Sequence, residues 1–144
     1  MSFDAVVSID PFAGEGAELD ALFVGESFLD LRYLRDSGCT ELPGRELWVL
    51  RLDGRLAGVL ILDLEPGGRT VELSLGIGPG ERRRGLAVRL LHTARERALA
   101  LGARELRALV QARNEAALGF FSARGFEGDP AAPKGYRAFR LDLG

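Results

Sequence analysis

The residues best suited to chemistry gather at Ile77-Gly78-Pro79-Gly80-Glu81-Arg82-Arg83-Arg84-Gly85-Leu86-Ala87-Val88. The stretch reads as the end of a strand, a tight turn and the start of a helix. An alternating apolar run, Val71, Leu73, Leu75 and Ile77, stops at Gly78-Pro79-Gly80, because proline lacks the N–H that a ladder needs and glycine takes unusual backbone angles. From Leu86 a helical period takes over through Ala87, Leu90, Leu91, Ala94, Ala98 and Leu101, with Gly102 placed to end it. Such a junction collects unpaired backbone N–H groups at the positive end of a helix, which is what a phosphate or pyrophosphate needs. Arg82, Arg83 and Arg84 add positive charge, and the missing Cβ at Gly85 lets an anion approach the amides. Arginines before a helix also form ordinary solvated faces, so the pattern needs support from the rest of the chain.

The surrounding elements follow from periodicity. Phe3 to Ile9 reads as a short strand ending at Asp10-Pro11. Glu18 to Arg35 reads as two helices with a break near Gly25-Glu26-Ser27, where Ser27 caps the second, and Gly38 ends the region. Leu42-Pro43-Gly44 is loop. Strands from Glu46 to Leu52 and from Arg55 to Leu62 flank Asp53-Gly54, the strongest hairpin signal present, and Glu65-Pro66-Gly67-Gly68 turns the chain into the strand Thr70 to Ile77. After the helix, Glu105 to Val110 is a strand whose crossover connection implies parallel pairing. Asn114 caps a short helix carrying Ala117, Leu118 and Phe121, Gly125 ends it, Phe126 opens a strand and Tyr136 to Leu143 closes the sheet.

Composition narrows the function classes. With 144 residues, 47% of them hydrophobic and 28% charged, the chain is long enough to bury one core, and a single domain over residues 1–144 is expected. The net charge of −2, and the absence of aromatic residues among the arginines, argue against a nucleic-acid partner. Cys39 is the only cysteine, so no internal disulfide forms and a reducing compartment fits. Met1-Ser2-Phe3-Asp4 lacks a basic leader and no apolar run approaches the roughly 18 residues of a membrane span, so the expectation is a cytoplasmic protein with no membrane partner. His92 and Cys39 stand alone, and no metal site is expected.

Two segments together resemble the GCN5-related N-acetyltransferase (GNAT) family. Arg82-x-x-Gly85-x-Ala87 is similar to that family's pyrophosphate loop, Gln/Arg-x-x-Gly-x-Gly/Ala. Asn114-x-x-Ala117 with Phe121 and Gly125-Phe126 is similar to its Asn-x-x-Ala…Tyr…Gly-Phe segment after the fifth strand. The resemblance extends over the whole element order, β-α-α-β-β-β-α-β-α-β-β. It implies an α/β fold of the α+β kind, a mixed and mostly antiparallel sheet flanked by helices. It also implies transfer of an acetyl group from acetyl-coenzyme A to a primary amine by direct attack in a ternary complex, with no metal. The positions it carries over for the cofactor are Leu75, Ile77, Arg82, Arg83, Arg84, Gly85, Leu86, Ala87, Val88, Asn114 and Phe121. The partner would be a small-molecule or peptide amine, and a homodimer is compatible with it.

The sequence departs from the family at one reacting position. The usual acid is a tyrosine seven residues after the asparagine, and Phe121 stands there without a proton to donate. A thiol of pKa about 8.5 leaves readily as thiolate, so the loss is tolerable; water, Ser122 or Tyr136 are the substitutes. An ammonium has no lone pair, so a base must first take its proton. Glu72 is the candidate, the one carboxylate within Val71 to Ile77, sharing a strand face with Ser74 and pointing away from Val71, Leu73 and Leu75. Its alternative role is as a cross-strand partner for an arginine. Glu15, Glu18, Glu26 and Asp30 could form an acidic rim for a cationic amine. Loss of the tyrosine also allows a different class, an acyl-coenzyme A binding or sensing module without catalysis.

Overall fold

Alternating apolar residues build the sheet first. The protein, described here from a computed structural model over residues 6–23, 44–82 and 85–144, forms one seven-stranded sheet in the order β1-β2-β3-β4-β5-β7-β6. The strands are β1 (Val7–Pro11), β2 (Arg45–Leu52), β3 (Arg55–Leu64), β4 (Thr70–Ile77), β5 (Glu105–Gln111), β6 (Glu127–Asp129) and β7 (Tyr136–Asp142). All neighbours are antiparallel except β4 and β5, which are parallel. The helices are α1 (Gly16–Leu22), α2 (Leu86–Ala100) and α3 (Glu115–Ala123). The second half of the helical region expected up to Arg35, its Ser27 cap, and Glu26, Asp30, Cys39, Arg83 and Arg84 lie outside the described residues.

Turn chemistry sets the register. Asp53 and Gly54 both take positive φ, 51° and 83°, as a two-residue hairpin of this hand requires. After β3, Gly67 takes φ 112° and the Gly68 N–H donates to the Glu65 carbonyl at 2.9 Å, closing the Pro-Gly turn into β4. Leu60 then faces Leu75 and Leu62 faces Leu73, while Val71 lies beside Leu106 across the parallel pair. This row forms the floor for α2 and α3, and Leu90, Ala94, Ala98 and Phe121 pack on it. Each fully buried leucine there contributes about 1.5–3 kcal/mol. The opposite face holds a smaller core in which Leu19 and Phe23 cover Leu47, Val49 and Val59.

Both long-range helices end in the same way. At the end of α2, Gly102 takes φ 85°, its N–H donates to Leu99 and the Ala103 N–H donates to Ala98. At the end of α3 the Phe126 N–H donates to Phe121, and the two rings meet edge to face at 5.0 Å, the apolar contact that accompanies such a cap. Arg97, in the last turn of α2, forks onto Glu46 at 2.9 and 2.7 Å and lies over the Trp48 ring, tying the helix to β2. This fork, aided by the Trp48 N–H, holds the Glu46 carboxyl below its ordinary range.

Several boundaries differ from the sequence reading: β2 starts at Arg45, β3 runs to Leu64, β5 runs to Gln111, β6 starts at Glu127 and β7 ends at Asp142. β1 runs through Pro11, paired with Trp48, because an edge strand tolerates a residue that cannot donate outward. The first helix starts at Gly16 rather than Glu18, with Glu15 at its cap.

Candidate active site

The ladder between β4 and β5 is short. It pairs Thr70 to Leu73 with Glu105 to Ala108 and goes no further, although β4 stays paired with β3 to Ile77 and β5 stays paired with β7 to Gln111. The strands therefore part, leaving alternate peptide groups of 74–77 and 109–111 facing a cleft. Its narrow part, about 70 Å³, is lined by Ser74, Leu75, Leu109, Gln111, Asn114, Phe121 and Tyr136 among others. It widens into a mouth of about 510 Å³ between Arg82 and Ala87 on one wall and Arg113, Ala116 and Phe120 on the other. Leu75, Gln111, Asn114, Ala117 and Phe121 line both parts, so the two are continuous.

One wall is built by the turn after β4. Gly78 ends the strand, Pro79–Glu81 make a single 3-10 turn, and the chain reaches Gly85 at the N-cap of α2. Gly85 takes φ 73°, a left-handed conformation that a side chain would strain, and a Cβ built there meets nothing within 4 Å. The first turn of α2 has no side-chain cap on its N–H groups, and Arg82 and Ala87 on either side of it line the mouth. Leu86 is buried in the core and Val88 is exposed on the outer side of the helix. These two would contribute backbone rather than side chain.

The opposite wall comes from the β5–α3 junction. The Asn114 Oδ1 accepts from the Ala117 N–H at 3.2 Å, so the side chain caps α3 and faces the cleft at the same time. Phe121 is buried, with its ring against Phe120, Phe126 and Phe139 at centroid distances of 5.2, 5.0 and 6.1 Å. Tyr136 sits opposite Gln111 in the β5–β7 ladder and lines the narrow part. Ser122 does not reach either part: one residue beyond Phe121, it turns about 100° round the helix and is exposed.

Glu72 lies in the closed part of the ladder, level with Asp63 on β3 and Arg107 on β5, and does not line the cleft. Ser74, on the same strand face and one step nearer the mouth, does line it. Burial pushes the Glu72 carboxyl up, Arg107 pulls it down, and Glu65 and Asp63 push it up again. His92 is exposed and paired with Glu96 at 2.6 Å, clear of the cleft. No group of three His, Cys, Asp or Glu side chains able to hold a metal occurs among the described residues.

The sequence reading missed Gln111, Arg113 and Phe120. A signal existed for Gln111, since it is the polar residue that ends the β5 alternation immediately before the Ala-Arg-Asn turn.

A family model described as the acetyltransferase (GNAT) family matches residues 15–126. The chain belongs to the GNAT acetyltransferase family. It is therefore an acyltransferase, and the parted strands with their glycine-capped helix form its candidate active site. Solved structures share the GNAT fold at low identity. A spermidine N-acetyltransferase from Vibrio cholerae is 14% identical with a TM-score of 0.79, over 95% of this chain and 94% of that one. The yncA acetyltransferase from Salmonella typhimurium, solved with its cofactor acetyl-CoA, is 17% identical with a TM-score of 0.75, over 96% and 94%. A GNAT-family acetyltransferase from Streptococcus pneumoniae is 21% identical with a TM-score of 0.74, over 96% and 100%. No curated protein matches the chain in sequence.

Proposed function

We propose that this GNAT protein transfers an acetyl group from acetyl-coenzyme A to a primary amine by direct attack. The observation that carries the reading is the parting of β4 from β5 beside a helix N-terminus capped by Gly85 at φ 73°. An extended pantetheine arm can pair with the freed peptide groups as an added strand would, and a pyrophosphate can meet the first amides of α2 and Arg82. The residues fit that cofactor: the wide mouth carries Arg82 and Arg113 on an otherwise largely apolar lining, and the narrow inner part mixes apolar side chains with Ser74, Gln111, Asn114 and Tyr136.

The thioester supplies an activated acetyl group: the C–N bond forms as the C–S bond breaks, and the proton lost by the amine is balanced by the thiolate that leaves. The protein's part is positioning and proton handling. A backbone N–H between Leu75 and Ile77 polarises the carbonyl, Asn114 fixes the far wall, and Glu72, set back from the cleft, accepts the amine proton through a water. A carboxyl raised by burial is a stronger base than an exposed one. Tyr136, which shares the narrow part with the Ser74 hydroxyl, returns a proton to the thiolate; Ser122 lies outside both parts of the cleft.

The test is Gly85→Glu, which adds bulk, backbone strain and negative charge where the phosphates would sit. Calorimetry is expected to show loss of acetyl-coenzyme A binding in a folded protein, and unchanged binding would overturn the assignment. The packing of Phe121 into an aromatic cluster favours a second reading, an acyl-coenzyme A sensor without turnover. Thiol release over a panel of amines separates the two.

A further inference from the structure

Asp63 and Glu72 stand side by side across β3 and β4, but their cations reach them differently. Arg45 on β2 forks onto Asp63 at 2.6 and 3.1 Å. Glu72 has no such fork among the described residues, and the cation beside it in the register is Arg107 on β5. The Arg107 guanidinium is bound on its other side. Its Nη2 donates to the Ala131 carbonyl, in the 130–135 loop between β6 and β7, and its Nε lies 3.9 Å from the Asp129 Oδ2 at the end of β6. Arg107 alternates with the core residues Leu106 and Ala108, so it stands on the sheet face that carries Glu72, and the loop folds back over β7 on that face to meet it. Asp129 also accepts the Ala131 N–H at 3.0 Å, and the Gly135 carbonyl accepts the Ala112 N–H at 2.9 Å, so the loop is tied at both ends and delivers Tyr136 to the narrow part of the cleft. The Arg107 and Asp129 side chains are 23% and 21% exposed, so solvent screens this contact less than it would a surface pair.

We infer that Arg107 is a positioning residue for the transfer, pinning the 130–135 loop across the sheet face that carries Glu72 and serving as the counter-charge of that carboxylate. The inference rests on the reading of Glu72 as the base. One guanidinium thus couples the two groups that handle protons: through the loop it fixes Tyr136, and through space it favours the ionised Glu72. The influences on Glu72 oppose one another. Burial and the carboxylates of Glu65 and Asp63 hold its proton on, and Arg107 draws it off. The Asp63 charge is itself met by Arg45, and Arg140 on β7 and Glu127 on β6 continue the same level of the sheet beyond Arg107. Removing the Arg107 charge therefore leaves a Glu72 carboxyl that stays protonated to higher pH, and a loop with one tie fewer.

Two readouts separate the two roles. Lys134 is the only lysine of the chain and lies exposed in the loop, so an endoproteinase that cuts after lysine reports loop opening at a single bond. An NMR titration of the Glu72 carboxyl, assigned with Glu72→Gln, reads its charge without turnover. Arg107→Gln is expected to speed cleavage about tenfold and to move both the carboxyl titration and the acid limb of kcat/KM to higher pH. Arg107→Lys keeps the charge, so its titration and acid limb stay with the parent. Asp129→Ala loosens the loop and spares the charge: cleavage speeds up and the titration does not move upward. Circular dichroism checks each fold, and the last two variants decide the matter if Arg107→Gln does not fold. Cleavage of Arg107→Gln or Asp129→Ala at the parent rate overturns the pin. A Glu72 titration unmoved in Arg107→Gln, or shifted in Arg107→Lys, overturns the counter-charge. A Glu72→Gln enzyme as active as its parent overturns the base reading beneath, and leaves both of these readouts standing.

Discussion

Arg55, at the start of β3, and Glu81, in the 3-10 turn that follows β4, share two parallel hydrogen bonds: Nε to Oε1 at 2.8 Å and Nη2 to Oε2 at 3.1 Å. The Glu81 side chain is only 14% exposed and precedes Arg82 in the wall of the mouth. The fork sets a guanidinium against this carboxylate and so lowers the negative potential that the donor's phosphates meet at the mouth. Arg55→Ala is therefore expected to raise the Kd for acetyl-coenzyme A by up to about tenfold, more at low ionic strength than at high. Adding Glu81→Gln to that variant removes the carboxylate itself and is expected to restore affinity. Calorimetry at two salt concentrations reads both effects.

Removing the Glu72 carboxylate has two measurable consequences. Glu72→Gln is expected to lower kcat/KM by about 10² to 10⁴, with donor binding unchanged, and the acid limb of the parent's pH profile should lie above the ordinary 4.5. The second is a change in stability. Burial raises the native carboxyl above its unfolded value, so the folded chain keeps a proton that the unfolded chain has released. Stability then falls as pH rises from about 4.5 to the native value and is level beyond it. Urea denaturation across that window should show the parent declining relative to Glu72→Gln.

Gly78 is a steric position. Its φ of −55° and ψ of 142° suit any residue, but a Cβ would stand 2.7 Å from the Leu22 Cδ1 and 3.1 Å from its Cγ. Gly78→Ala should destabilise the fold by about 1–3 kcal/mol, and the same change in a Leu22→Ala background should have little effect. A double-mutant cycle in urea measures the coupling.

Phe121 joins core and cleft. Phe121→Ala removes the ring at the centre of the aromatic cluster and should destabilise by about 3–5 kcal/mol in urea. Phe121→Tyr keeps the ring and restores the family's acid. Its kcat should rise by less than about tenfold, because the thiolate already leaves easily near its pKa of about 8.5. A much larger gain in thiol release would make the missing acid the chief limit on turnover.

Local rules carried much of the architecture. Asp53-Gly54, the Pro66-Gly67 turn, the Asn114 cap and the Gly102 and Gly125 stops are each readable in a few residues, because one backbone conformation admits few side chains. The parting of β4 and β5 is not written in either strand's own pattern. Contacts across the fold were not legible. Arg55 is 26 positions from Glu81 and Arg97 is 51 from Glu46, and in sequence each is one arginine among many. Ser122 has a suitable hydroxyl, but the 3.6-residue period turns it outward; Gln111 and Phe120 line the cleft with an amide and a ring that carry no reactive signature in sequence.

The four-pair seam between β4 and β5 divides the sheet into two slabs, β1 to β4 and β5 to β7 with β6, and α2 packs on both of them. A molecule laid into the gap then acts as a staple as well as a reactant. Amides at 75–77 and 109–111 that face the gap should exchange their hydrogens quickly in the free protein and slowly with donor bound, while those at 71–73 and 106–108 stay protected in both. The melting temperature should climb with donor concentration by simple mass action. After turnover, coenzyme A keeps nearly all of that bridge, so its departure means prising the slabs apart. Product release is therefore the step through which the seam would govern the rate of the cycle.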